Sequence, residues 1–278
     1  MNKIILNLPH SSKKLPKKFL RQDFQLSKKE INSFNQTMTD LYTSSLFSSK
    51  KFSSVVAPYS RIFCDIEKFT DDEKEIMSKY GLGAIYTKTD KGIELFSPSE
   101  EYKTDVIKNY YYPLHKKLDR KVKTEIEKGK NVILIDCHSF SKETVEIFGN
   151  ADNLPDVCIG TNVDLYCNDI VREIVLTYFK SLGYEVKLNY PYCGAMIPDY
   201  YIAHQTDKLN CIMIEINRKI YLNKNKKNNN FNKIKKDIYY LLKHLKKIKL
   251  KKKGGGKTLY NFLLIFIRFY LVYGKSEK

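Results

Sequence analysis

Apolar residues fall along this chain in two rhythms. Short continuous runs, such as Val132-Ile133-Leu134-Ile135 and Ile212-Met213-Ile214, alternate with longer stretches whose apolar positions lie three and four residues apart. The first rhythm is that of strands buried on both faces and the second that of amphipathic helices, so their alternation predicts an α/β protein built on a central sheet. Strands are expected at Ile4–Leu8, Ser54–Ala57, Ile62–Ile66, Ala84–Tyr86, Val132–Asp136, Val157–Ile159, Glu185–Leu188 and Cys211–Ile216. Helices are expected at about Lys28–Phe47, Pro98–Lys128, Asn168–Leu182 and Phe231–Ile248. The second helix is well punctuated, with Ser97 as N-cap, Glu100 three residues on, Pro98 at the first position, Pro113 as a kink and Gly129 past the end.

Charge changes this picture at one end only. Between Arg218 and Lys257 sixteen Lys or Arg face one acid, Asp237, and three bases against one acid follow; of the net +18, about +1 therefore belongs to residues 1–217. Such a Lys/Asn-rich stretch reads as a solvated helix face, and with no recognisable RNA-binding motif no nucleic-acid partner is expected. Residues 1–250 are read as one catalytic domain, and 251–278 as a Lys/Gly-rich linker with a short apolar tail. That tail, Leu259–Tyr273, has Arg268 inside it and falls short of the roughly 20 apolar residues a spanning helix needs, but it could lie on an anionic membrane surface. The six cysteines form no C-x-x-C pair and sit beside apolar runs, as reduced buried thiols do, and the N-terminus has no export signal, so the expected location is the cytoplasm.

The chemistry concentrates where strands end, which is where ligands bind in α/β sheets. Pro9-His10-Ser11 follows the first strand, Arg61 to Glu67 spans the third, Asp136-Cys137-His138-Ser139 closes the fifth and Glu215-Ile216-Asn217-Arg218 closes the last. Two histidines from different strand ends plus a carboxylate make an open zinc site with water in the fourth position. Asp136 is read as facing away from His138 and so as a supporting acid. Ser11, Ser12 and Ser139 line or cap the site, whereas His115 and His204 carry no assignment. A serine or cysteine nucleophile is not expected: no G-x-S-x-G occurs, and Cys137 points away from its neighbour His138.

Seven blocks in order, Leu-Pro-His10-Ser-Ser, Met-Thr-Asp40-Leu-Tyr, Tyr-Ser-Arg61 with Asp65, Asp136-Cys-His138-Ser-Phe, Pro155-Asp-Val-Cys-Ile-Gly160-Thr, Pro191-Tyr-Cys-Gly194 and Glu215-Ile-Asn-Arg218, resemble the N-formylglutamate amidohydrolase family over residues 5–245. The resemblance implies a phosphorylase/hydrolase-like three-layer α/β sandwich with a mixed central sheet flanked by helices. That fold is shared more distantly with zinc carboxypeptidases, succinylglutamate desuccinylases and zinc-dependent cell-wall amidases. It also implies Zn2+, or another divalent metal, on His10, His138 and an acid, with Glu215 as the catalytic base. Asp40 is taken as that acid, because cell-wall amidases carry theirs after the first strand; Glu67, Asp65 and Asp136 remain supporting acids or alternative ligands. The implied substrate is a small N-acyl amino acid, N-formyl-L-glutamate or a similar N-acylated acidic amino acid. Its carboxylates suit the planar guanidinium groups of Arg61 and Arg218, although either arginine could hold a buried acid instead. The same metal site would also serve another N-acyl deacylase or a cell-wall amidase-like hydrolase.

Overall fold

The computed structural model describes residues 1–147, 149, 151–162 and 164–250, and the expectations for the linker and tail at 251–278 lie outside them. Six strands form one sheet: β1 (Lys3–Leu8), β2 (Ser53–Val56), β3 (Val132–Phe140), β4 (Val157–Gly160), β5 (Val186–Leu188) and β6 (Leu209–Asn217), in the order β2-β1-β3-β6-β4-β5. All pairings are parallel except that of β4 with β6, so the sheet is mixed. The α-helices are α1 (Lys17–Leu20), α2 (Lys28–Met38), α3 (Thr43–Phe47), α4 (Glu100–Val106), α5 (Tyr112–Glu127), α6 (Lys142–Glu146), α7 (Asp169–Ser181), α8 (Asp199–Ala203) and α9 (Phe231–Leu245), and a two-stranded ribbon pairs Leu222–Asn223 with Lys226–Lys227. Among the described residues no helix is long and apolar enough to cross a membrane.

The central strands β3 and β6 are buried along all nine residues, as their continuous apolar runs require. Successive side chains face opposite sides, and each side has its own core. Ile133, Ile135, Ile212, Ile214 and Ile216 join Val171, Val175, Ile238 and Leu241 of α7 and α9 on one face. Leu134, Cys211 and Met213 join Val106, Leu118 and Val122 beneath α4 and α5 on the other. Each fully buried isoleucine contributes on the order of 1.5–3 kcal/mol. The lysines of α9 occupy its exposed side, opposite Phe231, Ile234, Ile238 and Leu245, so most of the net positive charge in this region is a solvated surface.

Several elements differ from expectation for local reasons. Ile62–Ile66 forms turns rather than a strand: Ile62, Phe63, Cys64 and Ile66 are apolar because they enter the core, while Phe63 N donates to Ser60 O. Ala84–Tyr86 contributes only an isolated bridge, Leu82 to Tyr86. The long helix begins at Glu100, capped by Ser99, whose Oγ accepts from Tyr102 N; Ser97 is occupied with Glu94. It runs through a π-helical segment, Ile107–Tyr111, before α5 and stops before Gly129, whose φ of 77° suits glycine. The helix expected over Lys28–Phe47 breaks between α2 and α3, and Asp40 lies in that break.

Candidate active site

Register determines which strand-end groups meet. β3 and β6 run parallel with His138 opposite Glu215, and β1 runs parallel to β3 with Asn7 opposite Asp136. His10 follows β1 by two residues, and its carbonyl accepts from the amide of Asp40, which ties the α2–α3 break to the first strand end. Glu67 arrives on the turn after Ile66, where its amide donates to Asp65 Oδ1 at 3.2 Å. The four groups His10, Glu67, His138 and Glu215 thus converge at one end of the sheet and line a cavity of about 170 Å3, together with Asp40, Arg61, Lys68, Tyr192, Gly194 and Arg218.

One nitrogen of His10, one of His138 and a carboxylate oxygen of Glu67 lie within 4.8 Å of one another. Both rings are buried, with centroids 5.1 Å apart, and each is held on one side by an aspartate. His10 Nε2 is 2.8 Å from Asp65 Oδ1, and His138 Nδ1 is 3.1 Å from Asp40 Oδ2. The opposite nitrogens, His10 Nδ1 and His138 Nε2, have no hydrogen-bond partner although both are buried. His138 Nε2 stands 3.3 Å from Glu67 Oε1 and 3.3 Å from Asp136 Oδ1, ion-pair distances without hydrogen-bond geometry. An unpartnered buried nitrogen on a ring oriented by a carboxylate is the donor arrangement that a metal ion satisfies.

The acids divide by environment. Burial pushes the Glu215 carboxyl up to about 8; His138 opposes this, while the charges of Asp40 and Glu67 reinforce it. Its Oε2 is buried without a partner. Burial would also raise Asp40, but the bond and charge of His138, with help from His10 and Arg218, bring it below the usual carboxylate range. Asp65 is held well below that range because Arg61 and His10 outweigh its complete burial. Asp136 is lowered too: against burial stand His138 and the Met196 amide, which donates to Oδ2 at 2.6 Å. For His138 burial works downward, and the Glu67 and Asp136 carboxylates overcome it to raise the ring well above its ordinary value. Glu215 alone of these four acids is raised, while Asp40, Asp65 and Asp136 are lowered, a contrast of the kind that separates a proton carrier from fixed charges.

Three expectations change in the structure. Asp136 does not face away from His138: residues two apart on a strand share a face, and it lies beside the ring, anchored by Asn7 Nδ2 at 2.9 Å. Asp40 Oδ2 lies 3.1 Å from His138 Nδ1 and 3.9 Å from His10 Nδ1, is shared with the Ser139 amide, and its Oδ1 accepts from Arg218 Nη2 at 3.1 Å, while Glu67 is the acid that groups with both rings within 4.8 Å, reaching His10 at Nε2, 3.5 Å away. Arg218 also donates to Thr37 O, Ser139 O and Ser139 Oγ, so its fork is used to fix Asp40. Arg61 grips Asp65 Oδ2 through Nε and Nη2 at 2.9 and 2.7 Å while also lining the cavity. Tyr86, whose hydroxyl donates to the same oxygen at 3.0 Å, has no sequence signal beyond its apolar surroundings. Asn7 has one, a polar residue in the run Ile-Ile-Leu-Asn-Leu.

Gly160, at the end of β4, lets the Tyr192–Gly194 loop approach: a Cβ there would lie 3.1 Å from the Cys193 main-chain carbon and oxygen. All six cysteines are buried and free of disulfides. Cys137 faces the opposite core.

A sequence model of the family described as N-formylglutamate amidohydrolase matches residues 2–222. Two solved structures share the fold. One is an N-formylglutamate amidohydrolase from Ralstonia eutropha JMP134, with TM-score 0.74, 18% identity, and 88% of this chain and 94% of that chain covered. The other is a gene product from Agrobacterium tumefaciens, with TM-score 0.62, 19% identity, and 88% and 90% covered. No curated protein matches the chain.

Proposed function

The chain belongs to the N-formylglutamate amidohydrolase family, and from that membership we propose that it is a metal-dependent amidohydrolase that removes formate from N-formyl-L-glutamate or a closely similar N-acylated acidic amino acid. The observation that carries the metal dependence is the pair of buried rings, each held by an aspartate on one nitrogen and unpartnered on the other, with Glu67 beside them. His10, His138 and Glu67 would hold the ion, and two nitrogens with one carboxylate oxygen suit zinc with an open position.

When bound, zinc would polarise the formyl carbonyl and acidify a water, both of which a resonance-stabilised amide needs. Glu215 supplies the proton path: Oε2 takes the proton of the attacking water and passes it to the departing amine as the C–N bond breaks, leaving formate and the free amino acid. A carboxyl whose surroundings push it up to about 8 is suited to hold that proton between the two steps. Asp65 and Asp40 orient the rings, and Arg218 orients Asp40. Arg61, which lines the cavity while gripping Asp65, would meet a substrate carboxylate there.

Metal analysis of the purified protein and hydrolysis assays on a panel of N-formyl, N-acetyl and N-succinyl amino acids test this reading. About one zinc per chain and preference for N-formylglutamate are expected; undiminished turnover in fully chelated protein would overturn the mechanism. His138→Ala should lose metal, and Glu215→Gln should retain metal while turnover falls by roughly 10²–10⁴-fold.

A further inference from the structure

One buried histidine has no part in the chemistry so far. His115 on α5 is 7% exposed; its Nε2 is 2.7 Å from the carbonyl oxygen of Ile66 and its Nδ1 is 2.9 Å from Asp199 Oδ2. A carbonyl oxygen only accepts, so Nε2 carries a proton and donates it to Ile66. The ring stacks on Tyr111, with centroids 4.2 Å apart and planes at 19°, and the Tyr111 hydroxyl donates to the carbonyl oxygen of Lys68 at 2.8 Å. The two carbonyls flank Glu67.

That placement bears on the site because the Glu67 segment is neither helix nor strand, and no ladder fixes its peptide planes. Its other main-chain ties lie on the amide side: Glu67 N donates to Asp65 Oδ1, Lys68 N donates to the Asp65 carbonyl oxygen at 3.4 Å, and Phe69 N donates to Glu75 Oε2 at 3.0 Å. His115 and Tyr111 are therefore the side chains that hold the carbonyl side of the turn. Tyr111 is the last residue of the π-helical segment, a widened turn of poorer hydrogen-bond geometry that recurs at functional sites, and residues four apart on a helix share a face. We propose that His115 and Tyr111 are positioning residues, which clamp the peptides on both sides of Glu67 and so hold its carboxylate between His10 and His138. The inference rests on the reading of Glu67 as a metal ligand.

The test uses full-length protein and two measurements. In metal-free protein, hydrogen exchange of the peptide spanning residues 65–70 should rise at least tenfold in His115→Leu and in Tyr111→Phe. It should stay within about threefold of the parent in His115→Gln, whose amide nitrogen can still donate to Ile66. Zinc affinity, measured by chelator competition, should fall by about 10–100-fold in the first two variants, the range known for partners that orient metal ligands, and recover in His115→Gln. Tyr111→Phe removes only a hydroxyl, so the experiment stands even if His115→Leu does not fold. Unchanged exchange and zinc affinity in the variants that fold, or a His115→Gln no better than His115→Leu, would overturn the inference. A parent that binds no zinc overturns the metal reading instead, and the exchange measurement then decides the clamp by itself.

Discussion

Asp40 and Glu67 compete for one role, and the structure separates their effects by assigning each a different energetic consequence. Asp40 is 3% exposed and bonded to His138 Nδ1, the Ser139 amide and Arg218 Nη2. Replacing it with Asn removes the carboxylate from a guanidinium that is itself 8% exposed, leaving that charge with carbonyl and hydroxyl acceptors. Breaking a buried pair in this way costs about 3–5 kcal/mol. His138 keeps its free nitrogen, so Asp40→Asn should weaken zinc by about 10–100-fold, as for other orienting partners. Glu67 is the contrary case. Its side chain is 18% exposed and stands 3.5 Å from His10 Nε2 and 3.3 Å from His138 Nε2, and removing it relieves repulsion with Glu215 while taking a carboxylate from His138, two effects that oppose each other. Glu67→Ala should unfold within about 1 kcal/mol of the parent, and zinc affinity should fall more than a hundredfold, above about 2.8 kcal/mol at 1.4 kcal/mol per decade. Chelator-competition titration and denaturant unfolding, run on both variants in the same buffer, measure the two quantities. An Asp40→Asn protein that folds stably and binds no zinc, beside a Glu67→Ala protein that binds it within tenfold, would refute the assignment.

Three further outcomes follow from the geometry. Glu215 has its folded value raised to about 8, so it contributes stability that is complete below its unfolded value near 4.3 and fades as pH rises toward 8. In chelated protein, Glu215→Gln should gain on the parent between pH 5 and 8 by at most about 1.4 kcal/mol per unit, and parallel stability curves would contradict this. Arg61→Lys keeps the charge beside Asp65 but loses the planar fork, so KM for N-formylglutamate should rise tenfold or more while kcat changes less; an unchanged KM would remove Arg61 from substrate binding. Gly160→Ala would drive a Cβ to 2.5 Å from the Met213 methyl and 3.1 Å from Cys193 main chain, costing about 1–3 kcal/mol in denaturant unfolding, and a neutral result would show that the loop yields.

The central strands were readable because a strand buried on both faces can tolerate little but apolar residues: β1, β3 and β6 announce themselves as runs of Ile, Leu and Val. Polar residues closing such runs pointed to His10, His138 and Glu215, and the blocks around them to the family. The same cue misled at Ile62–Ile66, because apolar character reports burial rather than the backbone shape that achieves it. The cavity position of Glu67 depends on a turn held by Asp65, Glu75, His115 and Tyr111, side chains spread over about fifty residues of sequence.

Sequence by itself therefore determined the buried central strands and the polar residues that close β1, β3 and β6, since these follow from local period and polarity. Tertiary structure alone decided the partners. The β3–β6 register sets His138 against Glu215, and Arg218 reaches Asp40 across 178 positions. The closeness of two charges in space leaves no trace in the spacing of residues along the chain.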